Sequence, residues 1–378
     1  MHPDVFAAAS LVGADALSAR PEWVHDRRPT CELESWARKH LRDGDIVVLE
    51  ASGNSFEVAG RLHACGFAAV VLESAQAGKI RENFCNDDRH SAVKLARVYK
   101  SGLAKEVWQP DARTRERREV FFAHRNAVKD TTRCRSRIRS FLNEHCVRLP
   151  KGTALAEPRG LAVALKARNW SALQQELIKH KFEQLWDAEK RRKHWEQVMA
   201  RELAEHPQWA RLWRLMGIRH RVAFALMALI GNIHRFPTAK KLAGYLALSP
   251  RRDQSGNDAR GYEKGLGRGG RGDVRCLLIQ SAQNALNQRQ SPLHRWGWKL
   301  LLKKGRNHAV AAVARKLAVS IWHLLMGHFT PMLEADKHLR EKLLKIATVL
   351  GKANLKQIGF ANREAFVENQ LRSIQQST

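Results

Sequence analysis

One serine, Ser255, stands in a stretch crowded with arginine and glycine, Leu246–Ala282 (LALSPRRDQSGNDARGYEKGLGRGGRGDVRCLLIQSA). Arg251 and Arg252 precede it; Arg260, Arg268, Arg271 and Arg275 follow. A serine oxygen that attacks a phosphate must be exposed on a positioned loop. Positive charge must also meet the charge that builds on the phosphoryl oxygens. The glycines around it let backbone approach a phosphate closely. The same residues also describe a basic loop that grips phosphate while Ser255 only hydrogen-bonds, and on residue types alone that plainer role has the edge.

A second group is acidic. Glu50 closes the apolar run IVVLE, at the carboxyl end of an expected strand, where open α/β sheets place their ligands. Asp87 and Asp88 lie just before an expected helix starting near Ser91. An acid is favoured there on dipole grounds alone, so a capping role for Asp88 competes with a functional one. Carboxylates converging at strand ends in a basic protein suggest a divalent-metal phosphodiester site, in which Mg²⁺ neutralises the phosphate.

These residues need elements to hold them. Ile46–Glu50 and Ala68–Leu72 read as strands flanking a helix over Phe56–Cys65, and Ser91–Leu103 as a further helix; strand–helix–strand at this spacing predicts parallel strands. The chain start is Ala-rich, and Leu17–Thr30 does not read as a hairpin. From Arg113 to Arg139 the sequence holds nine arginines and one lysine, so few acids align with them that a nucleic-acid-facing helix is expected. A second long helix runs from about Ser171 to Glu205, and the two predict an antiparallel coiled-coil hairpin. Leu212–Ile230 is strongly apolar. Thr238 caps a short helix over Lys240–Leu248, and helices follow over Val274–Leu286 and His308–Gly327. The tail from 331 to 378 reads as helical with mixed charge.

The 378 residues carry 66 Lys+Arg against 37 Asp+Glu, a formal net charge of +29, and a field of that sign attracts nucleic acid. The basic residues are spread along the chain, which disfavours a membrane-surface role. No cysteine pair has CxxC spacing, so neither a zinc site nor a redox dithiol is indicated.

MGIRHRVAFALMALIGNIHRFPTAKKLAGYLALSPRRDQSG, with GRGGRGDVRCLLIQSA and AAVARKLAVSIWHLL after it, resembles the serine-bearing domain of the DEDD transposases of bacterial insertion sequences. LEASGNSFEVAGRLHACGFAAVVLES and NDDRHSAVKLARVYKSGLAKEVWQPD resemble that family's RuvC-like acidic domain. The resemblance covers roughly Arg42 to Met326. It implies a RuvC-like (RNase H-like) α/β domain over 1–105 and a basic coiled-coil hairpin over 106–205. A mainly helical transposase domain with the serine loop over 206–330 and a helical tail over 331–378 follow.

It further implies that Ser255 is the recombinase nucleophile and that Glu50 and Asp88 are catalytic ligands of Mg²⁺. Arg251, Arg252, Arg268, Arg271 and Arg275 are candidates for phosphate contacts. The family's fourth acid falls on Ser91, with Asp87 beside it. Its first Asp sits on an N-terminal strand that is expected to be truncated here, with Asp4 and Asp15 as candidates. Implied partners are DNA, a structured guide RNA and further copies of the chain as a dimer or tetramer, in the bacterial cytoplasm near the nucleoid. Two other functions fit the same residues: a metal-dependent junction nuclease without a serine step, and a degenerate remnant that only binds RNA or DNA.

Overall fold

The computed structural model describes residues 3–13, 19–74, 87–253, 262–267, 269–289, 291–328, 330, 333 and 336–376, and the chain divides into two units, Met1–Asp111 and Ala112–Thr378.

The first unit opens with a hairpin. Strands β1 (Val5–Val12) and β2 (Arg20–Pro29) pair antiparallel with two breaks in register. The sequence gives no sign of it, because β1 is rich in alanine and β2 carries charges and a proline at position 29, with little period-2 alternation. The pairing is held from outside the strands: Phe6 is buried edge-on against Trp36 of α1 (Leu33–His40), with ring centroids 5.0 Å apart.

Next, β3 (Ile46–Glu50), α2 (Ser55–Ala64) and β4 (Ala68–Leu72) form the expected strand–helix–strand, parallel and in register from Ile46↔Ala68 to Glu50↔Leu72. Val58, Ala59 and Leu62 bury one face of α2 in the same core as Leu49 and Val71. Gly66 turns the chain from α2 into β4 at φ 89°, a conformation natural to glycine. Helix α3 (Asp88–Lys100) begins three residues before the expected start and packs mainly along β1.

In the second unit, α4 (Ala112–Glu144) and α6 (Ala172–Ala204) are 33 residues each, roughly 50 Å long, and run antiparallel. Arg113 meets Glu202 near one end of the pair (2.7 Å) and Arg135 meets Glu189 further along (2.5 Å). The short α5 (Pro158–Lys166) joins them at the far end, where Ile138, Leu142, Trp170, Ile178 and Phe182 make a separate small core. Ser171 starts α6 through a reciprocal capping box with Gln174. The arginine run is less free than its own sequence neighbourhood suggests. Acidic partners arrive from α6, at Glu189 and Glu202, and Arg118 donates to the carbonyl of Ala228 at 3.1 Å.

The other helices of this unit are α7 (Pro207–Ala210), α8 (His220–Ile230), α9 (Ala239–Tyr245), α10 (Gly272–Asn287), α11 (Pro292–Lys304), α12 (Arg306–Leu325), α13 (Asp336–Gln357, broken at Gly351) and α14 (Arg363–Gln376). Every residue from Val222 to Ile230 is buried, as befits a helix that is apolar all round. Helix α8 packs against α4, α6 and α10. Between α9 and α10, β5 (Pro250–Asp253) and β6 (Tyr262–Leu266) pair antiparallel as a two-stranded ribbon. The sequence reads this stretch as loop only, since it lacks β-branched residues and is dense in Arg, Pro and Gly. No described helix is long and apolar enough to cross a membrane.

Candidate functional site

Ser255 and Arg268 lie outside the described residues; what is described is the frame that bounds them. Arg251 pairs with Lys264, Arg252 with Glu263 and Asp253 with Tyr262 across the β5–β6 ribbon, so Ser255 belongs to the segment this ribbon connects. The ribbon's exit is tied down at several points. Arg271 donates its backbone N–H to the Tyr245 carbonyl (2.8 Å), and Gly267 donates to that of Ser249 (3.1 Å). Gly270 sits at φ 90°, and a Cβ built there would lie 2.6 Å from the Tyr245 oxygen.

Two of the candidate arginines also hold this exit. The Arg271 guanidinium forks onto Asp273 (2.8 and 3.2 Å) and lies 5.7 Å from the Phe122 ring centroid. Arg275 donates from Nη1 to the Gly267 carbonyl at 2.9 Å. Both therefore hold the ribbon's exit, whatever else they contact.

The platform under the ribbon explains part of the HRFPTAKKLAGY stretch. Arg235 stacks between Phe236 (4.2 Å) and Tyr245 (4.5 Å) and donates to the carbonyls of Ile230 (3.0 Å) and Leu229 (3.3 Å). Tyr245 Oη donates to Leu229 at 2.8 Å. Together they satisfy the open C-terminal carbonyls of α8 and lock α9 onto it. Thr238 caps α9, its Oγ1 accepting from the Lys241 N–H at 3.3 Å.

In the first unit, Glu50 ends β3, half-buried, and Asp88 is the exposed first residue of α3. Asp87 is the N-cap: it accepts from the His90 N–H (2.7 Å) and meets His90 Nδ1 (2.6 Å), contacts that hold its carboxyl below the usual range. Ser91 donates its backbone N–H to the Asp87 carbonyl at 2.9 Å, inside the helix start. The Asp4 backbone carbonyl accepts from the Thr30 N–H at 2.9 Å, tying the hairpin's two ends, and Asp15 lies outside the described residues. Among the described residues no group of three or more His, Cys, Asp or Glu converges as a cation cage. Glu50 and Asp88 supply the hard oxygen donors that Mg²⁺ prefers, but alone they do not complete a site.

A polar cluster that the sequence reading misses lies where α4, α6 and α8 meet. Glu196 is buried beside His124 (3.5 Å), Arg192 (2.6 Å) and Arg221 (3.6 Å). Burial pushes its carboxyl up, but His124, Arg192, Arg221 and His220 outweigh that and hold it down to about 2. His220, at the start of α8, is buried with neither ring nitrogen hydrogen-bonded among the described residues. Burial pushes it down to about 4; Glu196 opposes this, and Arg221, His124 and Arg219 reinforce it. The signal was present in the sequence: Glu189, Arg192 and Glu196 recur at helical spacing on the side of α6 that also carries Leu185 and Met199.

Both shifts depress the folded-state value, so both act in one direction. Between pH 6.5 and 4 the unfolded chain takes up a proton on His220 that the folded chain refuses, and stability falls as pH falls. Glu196 adds a further loss between pH 4.5 and 2. Thermal unfolding followed against pH should show a lower Tm at pH 4.5 than at pH 7, with a flatter dependence in His220→Leu. An unchanged pH dependence in that variant would count against the assignment.

Residues 210–296 match the Transposase IS116/IS110/IS902 family. The matched segment runs from the end of α7 through α8, α9, the ribbon and α10 into α11. The chain is similar to the "Transposase for insertion sequence element IS1111A" of Coxiella burnetii (strain RSA 493 / Nine Mile phase I), with 24% identity over 285 residues, covering 74% of this chain and 77% of that relative. It is also similar to the "Putative transposase y4qE" of Sinorhizobium fredii (strain NBRC 101917 / NGR234), with 22% identity over 305 residues, covering 72% and 73% respectively. The IS116/IS110/IS902 match thus falls on the elements that frame Ser255.

Proposed function

We propose that this protein is an insertion-sequence transposase of the IS110/IS116 type, cutting and joining DNA strands through Ser255. The observation that carries the reading is the family match over 210–296, which coincides with the ribbon and its anchored exit. The net charge of +29 supports a nucleic-acid substrate. In this reading the Ser255 oxygen attacks a DNA phosphorus, the displaced DNA oxygen leaves, and the chain is left joined to one DNA end. A second DNA hydroxyl then reverses the step on a new partner. Arg251, Arg252 and Arg268 meet the phosphate charge, while Arg271 and Arg275 hold the loop at its exit.

We assign the first unit the RuvC-like role, with Glu50 and Asp88 holding Mg²⁺, which supplies charge neutralisation at the phosphate when bound. The paired helices α4 and α6 suit contact with a structured guide RNA and with further copies of the chain, because strand exchange needs several active centres. The test is recombination between two supercoiled plasmids carrying the element's ends and its target, with the flanking RNA supplied. Glu50→Ala and Asp88→Ala should each lower joined product by roughly a hundredfold or more while binding persists. Full joining by both variants would overturn the acidic assignment. Free cut ends without joining would point instead to a junction nuclease.

A further inference from the structure

Between α4, the start of α8, α10 and α13 the second unit encloses a cleft of about 1010 Å³. Its α10 wall is unusual for a helix whose other faces are packed. Gln280, Asn284 and Asn287 recur at helical spacing, are exposed, and turn toward the cleft, while Val274, Leu278, Ala282 and Ala285 bury the opposite side. The rim is basic: Arg125, Arg219, Arg221, Arg289 and Lys345 all line it.

Arg219, Arg289 and Lys345 have no carboxylate within ion-pairing distance among the described residues, and Arg221 reaches Glu196 only at 3.6 Å. Two carboxylates face the cleft, Asp273 and Glu341, and Asp273 is engaged by Arg271. The apolar floor is Phe121, Val128, Met216 and Leu277. Its wall is held close by Gly217 (φ 75°), where a Cβ would come 2.5 Å from the Ser281 carbonyl. Lys342 donates to the carbonyls of Trp213 (2.6 Å) and Leu215 (3.0 Å), which fixes α13 against the segment before α8.

The geometry points to a binding site for a single strand of nucleic acid in this cleft, with phosphates on Arg219, Arg289 and Lys345 and base edges against Gln280, Asn284 and Asn287. Side-chain amides present a donor and an acceptor together, the pattern that pairs with a base edge, adenine above all. A duplex keeps its bases paired and stacked, so it cannot lay their faces on this floor. A flexible strand can splay its bases into the cleft and lay their faces on an apolar floor. Cationic side chains such as Arg219, Arg289 and Lys345, without a carboxylate partner among the described residues, around a concave, partly apolar space favour a polyanion with flat apolar parts over a small anion. The inference rests on the transposase reading for the presence of nucleic acid, but not on Ser255 chemistry.

The test uses the full chain and fluorescence anisotropy with labelled single strands of about 12 nucleotides. Oligo-dA, oligo-dT and oligo-rA are compared with a duplex of the same length across a salt series. Arg219→Ala with Arg289→Ala should weaken single-strand binding at least roughly tenfold and reduce the salt slope by about two. Asn284→Ala with Gln280→Ala should weaken oligo-dA or oligo-rA roughly tenfold more than oligo-dT. Lys352→Ala, outside the cleft, serves as the control for loss of charge, and unchanged thermal unfolding shows that the variants fold. A preference for oligo-rA over oligo-dA, or the reverse, that the intact chain shows and the cleft variants lose supports the site and identifies the strand as RNA or DNA. Binding by the intact chain that neither cleft pair reduces overturns the cleft and leaves the transposase reading standing. Failure of the intact chain to bind any of the single strands overturns the cleft as well, while the transposase reading answers to recombination on the element's own ends.

Discussion

Ser255→Ala is expected to abolish strand transfer, by at least roughly a thousandfold, while nucleic-acid affinity stays within a few-fold of the unaltered chain. The asymmetry follows from what the substitution removes. A single hydroxyl oxygen is lost, and no charge. The arginines on both sides remain, and so does the ribbon that pairs Arg251 with Lys264 and Arg252 with Glu263. A group that forms the covalent bond has no substitute, whereas a group that only hydrogen-bonds to phosphate costs about tenfold when deleted. Ser255→Cys separates these cases further, since a thiol keeps a nucleophile in place with altered reactivity. Normal recombination by Ser255→Ala would return Ser255 to a phosphate-gripping role.

The second large effect is expected at Gly270. Its φ of 90° is one that side-chain-bearing residues rarely adopt, and a Cβ there would lie 2.6 Å from the Tyr245 oxygen and 3.0 Å from the Gly244 oxygen. Both contacts are backbone, so neither can swing aside. Gly270→Val should therefore lift the ribbon's exit off α9 and break the Arg271 N–H to Tyr245 contact. A displacement of about 1 Å at a reacting group costs roughly a hundredfold, and recombination should fall by that much or more. Gly269 is the matched control: it has no positive φ and nothing within 4 Å of a built Cβ. Gly269→Val should recombine within about threefold of the unaltered chain. Recombination and thermal unfolding measured on the pair decide it; equal activities would show that the exit is not held as described.

How legible the molecule is from sequence varies with the kind of signal. Parallel β3 and β4 could be read, because IVVLE and AAVVL are short apolar runs around a helix with a clean apolar face. Thr238 could be read as a cap because its hydroxyl acts on residues three positions away. Helix α11 went unread although Ser291 accepts from the Leu293 N–H and Pro292 follows it, a start signal that lies beside the polar run Gln288–Gln290. The β1–β2 hairpin and the β5–β6 ribbon escape because their pairing is fixed by partners distant in sequence rather than by side-chain alternation.

The same limit applies to charge. Arg117 and Arg135 look unpartnered along α4, yet Glu202 and Glu189 reach them from 85 and 54 residues away. Candidates were legible where a family resemblance carries them, as with Ser255, Glu50 and Asp88, whose roles are proposed above. The amide face of α10 was not, since it takes meaning only from the helices packed around it, and the Glu196–His220 cluster was legible only in part, through the spacing of Glu189, Arg192 and Glu196 on α6.

The most direct test of the central assignment is covalent trapping. The chain is incubated with Mg²⁺, the element's end DNA and its flanking RNA, then run on a denaturing gel. A protein–DNA adduct is expected, lost in both Ser255→Ala and Glu50→Ala. DNA cleavage without any adduct, or an adduct that persists in Ser255→Ala, would contradict a serine-mediated strand transfer.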